Sequence, residues 1–232
     1  GTISSGRFAV IALGKLGSRE ITFGSDIDLV IVYDAKAEAL SDGEKPLSAS
    51  VYYNRLAQRL LNALTAMGRD GRLYEVDTRL RPSQGLLATS LEGLTQYFAE
   101  LAWTFEYMAF VKARLVAGDT TLCQFLTGFI DEQLVKPRDA EKLRQDVIDM
   151  RARIDKEFGT ADIWNIKYVR GGLIDLDFIA QYLVLKHAPM LNKACTGSAA
   201  FCFSWLREQA ILSREQADDL LSCEQGLTQL FT

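Results

Sequence analysis

The chain has 232 residues, of which 48% are hydrophobic and 24% charged, and its formal net charge is −4. This length allows two modest domains with real hydrophobic cores, since domains commonly contain about 100 to 150 residues, and the composition excludes a largely disordered chain. The acidic balance argues against a protein that grips long nucleic acids, which needs a basic face, but it leaves room for a local basic pocket around one triphosphate.

The first part of the chain predicts a sheet with flanking helices. Residues 8–13 and 27–33 are short, β-branched apolar runs, typical of strands buried in a sheet. A helical spacing of apolar residues follows over residues 47–68. Residues 73–80 alternate apolar and polar side chains, as a half-buried strand does, and residues 86–89 are expected to form another strand.

The rest of the chain predicts helices. One long helix is expected over residues 90–116, with Ser90 as its N-cap. No convincing strand follows Gly118, and further helices are expected over residues 139–158, 172–186, 198–210 and 213–230. The predicted fold class is therefore α+β, with a sheet-containing domain over residues 1–118 and an all-helical bundle domain over residues 119–232.

Cysteine usage and hydropathy indicate a reducing, cytoplasmic setting. The four cysteines lie 72, 7 and 21 residues apart and are accompanied by a single histidine, so neither a zinc site nor a disulfide framework is expected. No apolar run approaches the roughly 18 residues of a membrane span, and no signal-peptide pattern opens the chain. The last residues stop inside a helical pattern, so we expect a piece of a longer protein.

The strongest chemical signal is the pair Asp26 and Asp28 at the entry of a predicted strand. Residues two apart on a strand point to the same face, so the two carboxylates lie side by side while Ile27 points into the core. Asp77, in the middle of a later strand, is the best candidate for a third carboxylate. Mg²⁺ prefers such oxygen ligands together with substrate phosphates. The alternative is that these are polar residues on the solvent face of an edge strand.

A turn of small residues precedes the acidic pair. Gly17 and Ser18 follow the first predicted strand, and seven residues separate Ser18 from Asp26. Small residues in such a turn let backbone N–H groups approach phosphate oxygens closely. The order of strand, Gly-Ser turn, acidic pair and third acid therefore favours a nucleotide site.

These residues resemble the nucleotidyltransferase superfamily of the DNA polymerase beta type and, more narrowly, the glutamine-synthetase adenylyltransferases. The resemblance is carried by residues 14–20 (GKLGSRE), 24–29 (GSDIDL), 76–82 (VDTRLRP), 112–114 (KAR), and 166–172, which include Lys167 and two glycines. It implies a nucleotidyltransferase mixed sheet with flanking helices, followed by a helical bundle. It also implies an enzyme that uses Mg²⁺ and transfers AMP from ATP to a tyrosine hydroxyl of glutamine synthetase, under control of a signalling protein of nitrogen status.

The resemblance assigns roles to individual residues. Asp26, Asp28 and Asp77 are expected to be catalytic and to hold the metal. The residues expected to bind the nucleotide are Gly14, Lys15, Gly17, Ser18, Ser25, Arg79, Lys112, Arg114 and Lys167.

Several of these assignments have structural alternatives. Lys15 is equally explained as a solvated lysine, and Arg79 as the ion-pair partner of Asp77. Lys112 and Arg114 are two apart on a predicted helix, so only one is expected to reach the site. Lys167 and the glycine pair are expected to face the cleft that holds the acidic pair.

The type of reaction stays open between related activities. The full-length family enzyme carries one unit that removes AMP and one that adds it, and segments such as residues 74–78 (YEVDT) and 171–175 (GGLID) look more like the adding unit. The alternatives are the deadenylylating unit, a protein uridylyltransferase, and a non-catalytic regulatory unit whose acidic cluster merely binds metal.

Overall fold

The computed structural model describes residues 1–22, 24–69, 71, 74–78 and 86–231. Its chain forms two compact units, one made of Gly1–Ala102 with Ala113–Phe129 and the other of Trp103–Lys112 with Ile130–Thr232. The division at residue 118 expected from the sequence stays a prediction. Within the described chain, every helix is too short or too polar to cross a lipid bilayer.

The fold is α+β, as predicted. In chain order the elements are β1 (Arg7–Leu13), α1 (Gly14–Gly17), β2 (Ile27–Asp34), α2 (Ala49–Leu64), β3 (Val76–Asp77), β4 (Ala88–Ser90), α3 (Leu91–Glu100), α4 (Thr104–Phe110), β5 (Arg114–Gly118), α5 (Thr120–Val135), α6 (Ala140–Phe158), α7 (Leu173–Leu191), α8 (Ala199–Glu208) and α9 (Arg214–Phe231).

A mixed five-stranded sheet organises the first unit. Its strand order is β3-β2-β1-β5, and β4 also pairs with β2. β1 runs antiparallel to β2, with Arg7 opposite Asp34 at one end and Leu13 opposite Asp28 at the other. β5 is antiparallel to β1, whereas β3 and β4 are both parallel to β2. The central strands are buried because their β-branched residues are covered on both faces.

Helix α2 covers one face of the sheet. Ile31 and Tyr33 of β2 pack with Ala49, Tyr53 and Ala57 of this helix in one buried cluster. Because side chains alternate along a strand, Asp28 belongs to the opposite face of β2. The helix that covers the sheet and the predicted acidic site therefore lie on different sides of β2.

The second unit is helical. Its core includes five buried residues of α7, which are Leu176, Ala180, Val184, Leu185 and Ala188. The helix starts follow the sequence signals closely. Asp139 caps α6 by accepting from the Lys142 N–H, and Ser213 and Gln216 form the reciprocal bonds of a capping box at α9.

The single long helix expected over residues 90–116 is wrong. Ser90 caps α3 as predicted, by accepting from the Gly93 N–H, but this helix ends at Glu100. Glu106 then accepts from the Trp103 N–H and starts α4, and the following residues pair with β1 as β5. The apolar spacing continues through this region, so tertiary pairing with β1 overrides the helical pattern.

Candidate functional site

The sheet register brings two of the predicted carboxylates together. Asp28 of β2 is the direct partner of Asp77 of β3 in a parallel pairing. Directly opposite residues of neighbouring strands share a face, so both side chains lie on the face of the sheet away from α2. Both are half-buried. Pairing extends one step further back, where the Ile27 N–H donates to Glu75 O at 2.8 Å.

Gly14 is packed directly against this pair. Its φ is +52°, in the left-handed region, and a Cβ at this position would stand 2.2 Å from Asp28 Oδ2. No L-residue side chain fits there without displacing the carboxylate, whereas glycine adopts this conformation readily. Gly14 therefore places the start of α1 in contact with the acid, which explains the glycine without requiring contact with a ligand.

Gly14 begins α1, a single helical turn that ends at Gly17 and is called the Gly14 turn below. Arg114 forms hydrogen bonds with the end of this turn. Its Nε donates to Gly17 O at 3.0 Å and its Nη2 donates to Leu16 O at 2.6 Å. These are carbonyls at the C-terminal end of α1, where orphan acceptors and the helix dipole favour a cation. Arg114 lies in β5 and not on a helix, so its predicted helical relationship to Lys112 is wrong.

The two predicted serines take part in local hydrogen bonds. Ser18 Oγ lies 3.0 Å from Gly14 O and 2.5 Å from Glu20 Oε2, and the Ser18 N–H donates to Gly14 O. Ser25 is buried, and its Oγ accepts from the Thr22 N–H at 3.1 Å. Both serines thus stabilise the loop between β1 and β2, and their contact with phosphate stays a prediction.

Asp26 lies just before β2 and is exposed. Among the described residues, no three His, Cys, Asp or Glu side chains are grouped as a metal site would group them. The structure therefore brings Asp28 and Asp77 together but does not group Asp26 with them, and metal binding by the three acids stays a prediction.

Two predicted nucleotide ligands belong to the second unit, where each has a neighbour of its own. Lys112 is buried, and its Nζ lies 2.5 Å from Oδ1 of Asp177 in α7. Lys167 Nζ lies 4.9 Å above the ring of Tyr168. The facing of Lys167 towards a cleft stays a prediction.

The other residues predicted to bind the nucleotide lie in α1 or outside the described residues. Lys15 is half-buried and Gly17 is buried, both in α1. Arg79 lies outside the described residues. Asp175, which the sequence indicated as a helix-start carboxylate, accepts from the Gly171 N–H and pairs with Arg151.

The sequence did not predict the hydrogen bond between Ser18 and Glu20, or the two hydrogen bonds from the Arg114 guanidinium to α1. The spacing of Ser18 and Glu20 in the turn was a local signal that could have indicated a hydroxyl–carboxylate bond. Nothing local could indicate that Arg114 reaches carbonyls almost a hundred residues earlier, because that contact depends on the pairing of β5 with β1.

Known proteins share much of this chain. A family model for glutamate-ammonia ligase adenylyltransferase matches residues 2–128. A bifunctional glutamine synthetase adenylyltransferase/adenylyl-removing enzyme of Mesorhizobium japonicum is 46% identical over 86% of this chain and 20% of that protein. Proteins of the same name from Xanthobacter autotrophicus and Rhizobium meliloti are 46% and 47% identical over 81% and 80% of this chain, and 19% of each protein. The chain spans about a fifth of the length of these relatives.

Proposed function

Since the chain belongs to the glutamate-ammonia ligase adenylyltransferase family, we propose that it is a nucleotidyl-transfer unit that moves AMP from ATP to a tyrosine hydroxyl of glutamine synthetase. The observation that carries this proposal is the register of Asp28 with Asp77, directly beside the Gly14 turn. Two carboxylates on one face can hold a divalent cation, and a cation beside a tight turn after a strand would suit a nucleoside triphosphate better than a neutral substrate.

The reaction is a displacement at the α-phosphorus. The tyrosine oxygen forms a bond to this phosphorus, the bond to the bridging oxygen of the β-phosphate breaks, and pyrophosphate and the hydroxyl proton leave. Such a reaction is accelerated mainly by positioning and by stabilising the charge that develops on phosphate oxygens. The Gly14 turn, held by Arg114, would position the triphosphate beside the two acids.

The donor set suits magnesium. Mg²⁺ is commonly bound by one or two carboxylates together with substrate phosphates, so Asp28 and Asp77 can serve without a further protein ligand. Asp28, Asp77 and, from the sequence pattern, Asp26 are the residues that would hold it. When bound, the metal supplies charge neutralisation for the triphosphate and activation of the attacking hydroxyl.

Removal of AMP is the second candidate, because the relatives' names include an adenylyl-removing activity. In that reaction inorganic phosphate attacks the phosphorus of adenylylated tyrosine, the tyrosine oxygen leaves, and ADP is released. The resemblance of residues 74–78 and 171–175 favours the adding unit. From the cysteine usage and hydropathy we propose a reducing, cytoplasmic setting, and from the resemblance we propose regulation by a signalling protein of nitrogen status.

The experiment incubates the chain with glutamine synthetase, Mg²⁺ and each of four α-labelled nucleoside triphosphates. We expect label on glutamine synthetase from ATP, and none with the Asp28→Asn variant. A parallel incubation with the signalling protein of nitrogen status as acceptor tests the uridylyltransferase, which would label that protein from UTP. Release of ADP from adenylylated glutamine synthetase and phosphate, without forward transfer, would identify the removing unit. No transfer and no phosphorolysis would leave only a non-catalytic unit.

A further inference from the structure

A cavity of about 200 Å³ lies beside α2 in the first unit. Three cationic side chains line it, Lys45 from the loop before the helix and Arg55 and Arg59 from the helix itself. The acidic site is elsewhere, because α2 packs on the face of β2 opposite to Asp28. The cavity is therefore distinct from the proposed nucleotide site.

The cations of this cavity lack a paired carboxylate within 4.0 Å in the described part of the protein. No carboxylate of the described residues forms an ion pair with Lys45, Arg55 or Arg59. Helix α2 contains neither Asp nor Glu, although the chain as a whole carries a net charge of −4. Three cations thus line one cavity, while the Asp42 carboxylate beside Gly1 accepts hydrogen bonds from Thr2, and an anion from solution would be attracted to the cations.

The two arginines have a specific relationship. Arg55 and Arg59 are four residues apart and share one face of α2, an arrangement in which like charges repel and weaken a helix. An anion bound between the two guanidinium groups attracts both of them and offsets their mutual repulsion. The planar guanidinium fork matches phosphate geometry, and a phosphate group carries close to two negative charges at neutral pH, which three cations balance well.

The remaining walls are suited to an organic body. Leu47 and Leu56 supply apolar surface, and Tyr52 supplies a ring with a hydroxyl. Small-molecule sites commonly combine such apolar walls with a few convergent polar groups. We infer that the cavity beside α2 binds a small phosphate-bearing molecule, at a site separate from the one that acts on ATP.

The test is a titration followed by backbone amide NMR at constant ionic strength, with phenyl phosphate, inorganic phosphate and benzyl alcohol as probes. We expect saturable shifts of the amides of Tyr52, Arg55 and Arg59 with phenyl phosphate and none with benzyl alcohol. Tighter binding of phenyl phosphate than of inorganic phosphate assigns the site to an organic phosphate, whereas equal binding assigns it to free phosphate.

Matched variants separate this cavity from general charge effects. The double variant Arg55→Gln/Arg59→Gln removes two positive charges, and α2 should persist because glutamine favours helix formation. It should weaken binding of phenyl phosphate by about 10-fold or more. Lys36→Gln/Lys193→Gln removes the same charge from exposed positions outside the cavity, and Asp28→Asn alters the other site; both should bind as the unaltered chain does. Amide spectra check that each variant is folded.

Three results would overturn the inference. One is the absence of saturable shifts on α2 up to roughly 10 mM phenyl phosphate, a range that still detects millimolar affinity. Another is unchanged binding by the double arginine variant. The third concerns Gly1, which also lines the cavity: loss of binding after acetylation confined to its α-amino group, with Lys45 left unmodified, would contradict a site built by Lys45, Arg55 and Arg59.

Discussion

The carboxylate of Asp28 lies against Gly14, so closely that a Cβ at position 14 would stand 2.2 Å from Asp28 Oδ2. The backbone of Gly14 is also left-handed, with φ +52°. Two independent physical requirements thus meet at one residue, since any side chain there both strains the backbone and pushes the acid away from Asp77.

Gly14→Ala is therefore expected to damage stability and activity together. The left-handed backbone and the overlap with Asp28 should lower the free energy of unfolding by about 3 kcal/mol. Urea denaturation measures this loss, and AMP incorporation into glutamine synthetase should fall with it because the carboxylate is displaced.

Gly24→Ala is the matched control. Gly24 has φ +75°, but a Cβ there meets nothing within 4 Å, so this variant carries the backbone cost alone, about 1 kcal/mol. If the two variants lose equal stability and equal activity, the contact with Asp28 is unimportant.

Asp28→Asn should abolish transfer without unfolding the protein. The amide keeps the shape of the side chain but loses the negative charge that would hold a cation beside the triphosphate, so AMP incorporation is expected to fall by about 100-fold or more. The urea midpoint should stay within the error of the unaltered chain.

Asp34→Asn makes the same change at the other end of β2, where the carboxylate forms an exposed pair with Arg7 at 3.7 Å. It should transfer AMP normally, since such surface pairs contribute little. A large loss of stability in Asp28→Asn, with activity that follows the folded fraction, would make Asp28 a structural residue.

Arg114→Lys should weaken the turn even though the charge is retained. Lysine cannot reproduce the fork that reaches Leu16 O and Gly17 O together, so we expect a loss of about 1.5 kcal/mol in unfolding free energy. The catalytic rate should fall as the turn beside Asp28 loosens.

Arg7→Lys, an exposed arginine of the same sheet, provides the comparison and should change neither quantity. Should Arg114→Lys keep full stability and raise only the KM for ATP, Arg114 would contact the nucleotide by charge and not act through the turn.

Local signals predicted what depends on local physics. The strands β1 and β2 were found because buried β-branched runs are distinctive, and the start of α6 was found because Asp139 is a strong N-cap. The break between α3 and α4 was missed, because the bond from the Trp103 N–H to Glu106 lies inside a continuous helical spacing of apolar residues.

In the candidate site, too, some contacts could be predicted from the sequence and others could not. The face shared by Asp28 and Asp77 could be predicted from strand alternation once the two strands were assumed to pair. The contact of Gly14 with Asp28 and the reach of Arg114 to α1 could not, because both follow from the registers of β1 with β2 and β5. Side chains that converge through register are invisible to spacing alone.

The last prediction concerns Lys112, which the resemblance assigns to nucleotide binding and which pairs with Asp177 in the structure. The Lys112 side chain is only 8% exposed and that of Asp177 is 34% exposed, so removing Asp177 leaves a cation in a poorly solvated place, whereas removing Lys112 leaves a carboxylate that water still reaches. Asp177→Asn should therefore lower the free energy of unfolding by about 3 kcal/mol and Lys112→Met by less, about 2 kcal/mol, and the double variant should regain much of the larger loss. Urea denaturation of the two single variants and the double variant measures the coupling.

Lys142→Met makes the same substitution in an exposed pair, where the Lys142 side chain is 72% exposed and its partner is Asp146. It should lower the free energy of unfolding by at most about 1 kcal/mol.

The kinetics for ATP, measured well below the unfolding midpoint, then decide between the structural and the nucleotide-binding role of Lys112. An unchanged KM for ATP together with strong coupling to Asp177 makes Lys112 a structural residue of the second unit. A KM that rises in Lys112→Met but not in Asp177→Asn, without coupling in stability, would instead support the nucleotide contact that the sequence indicates.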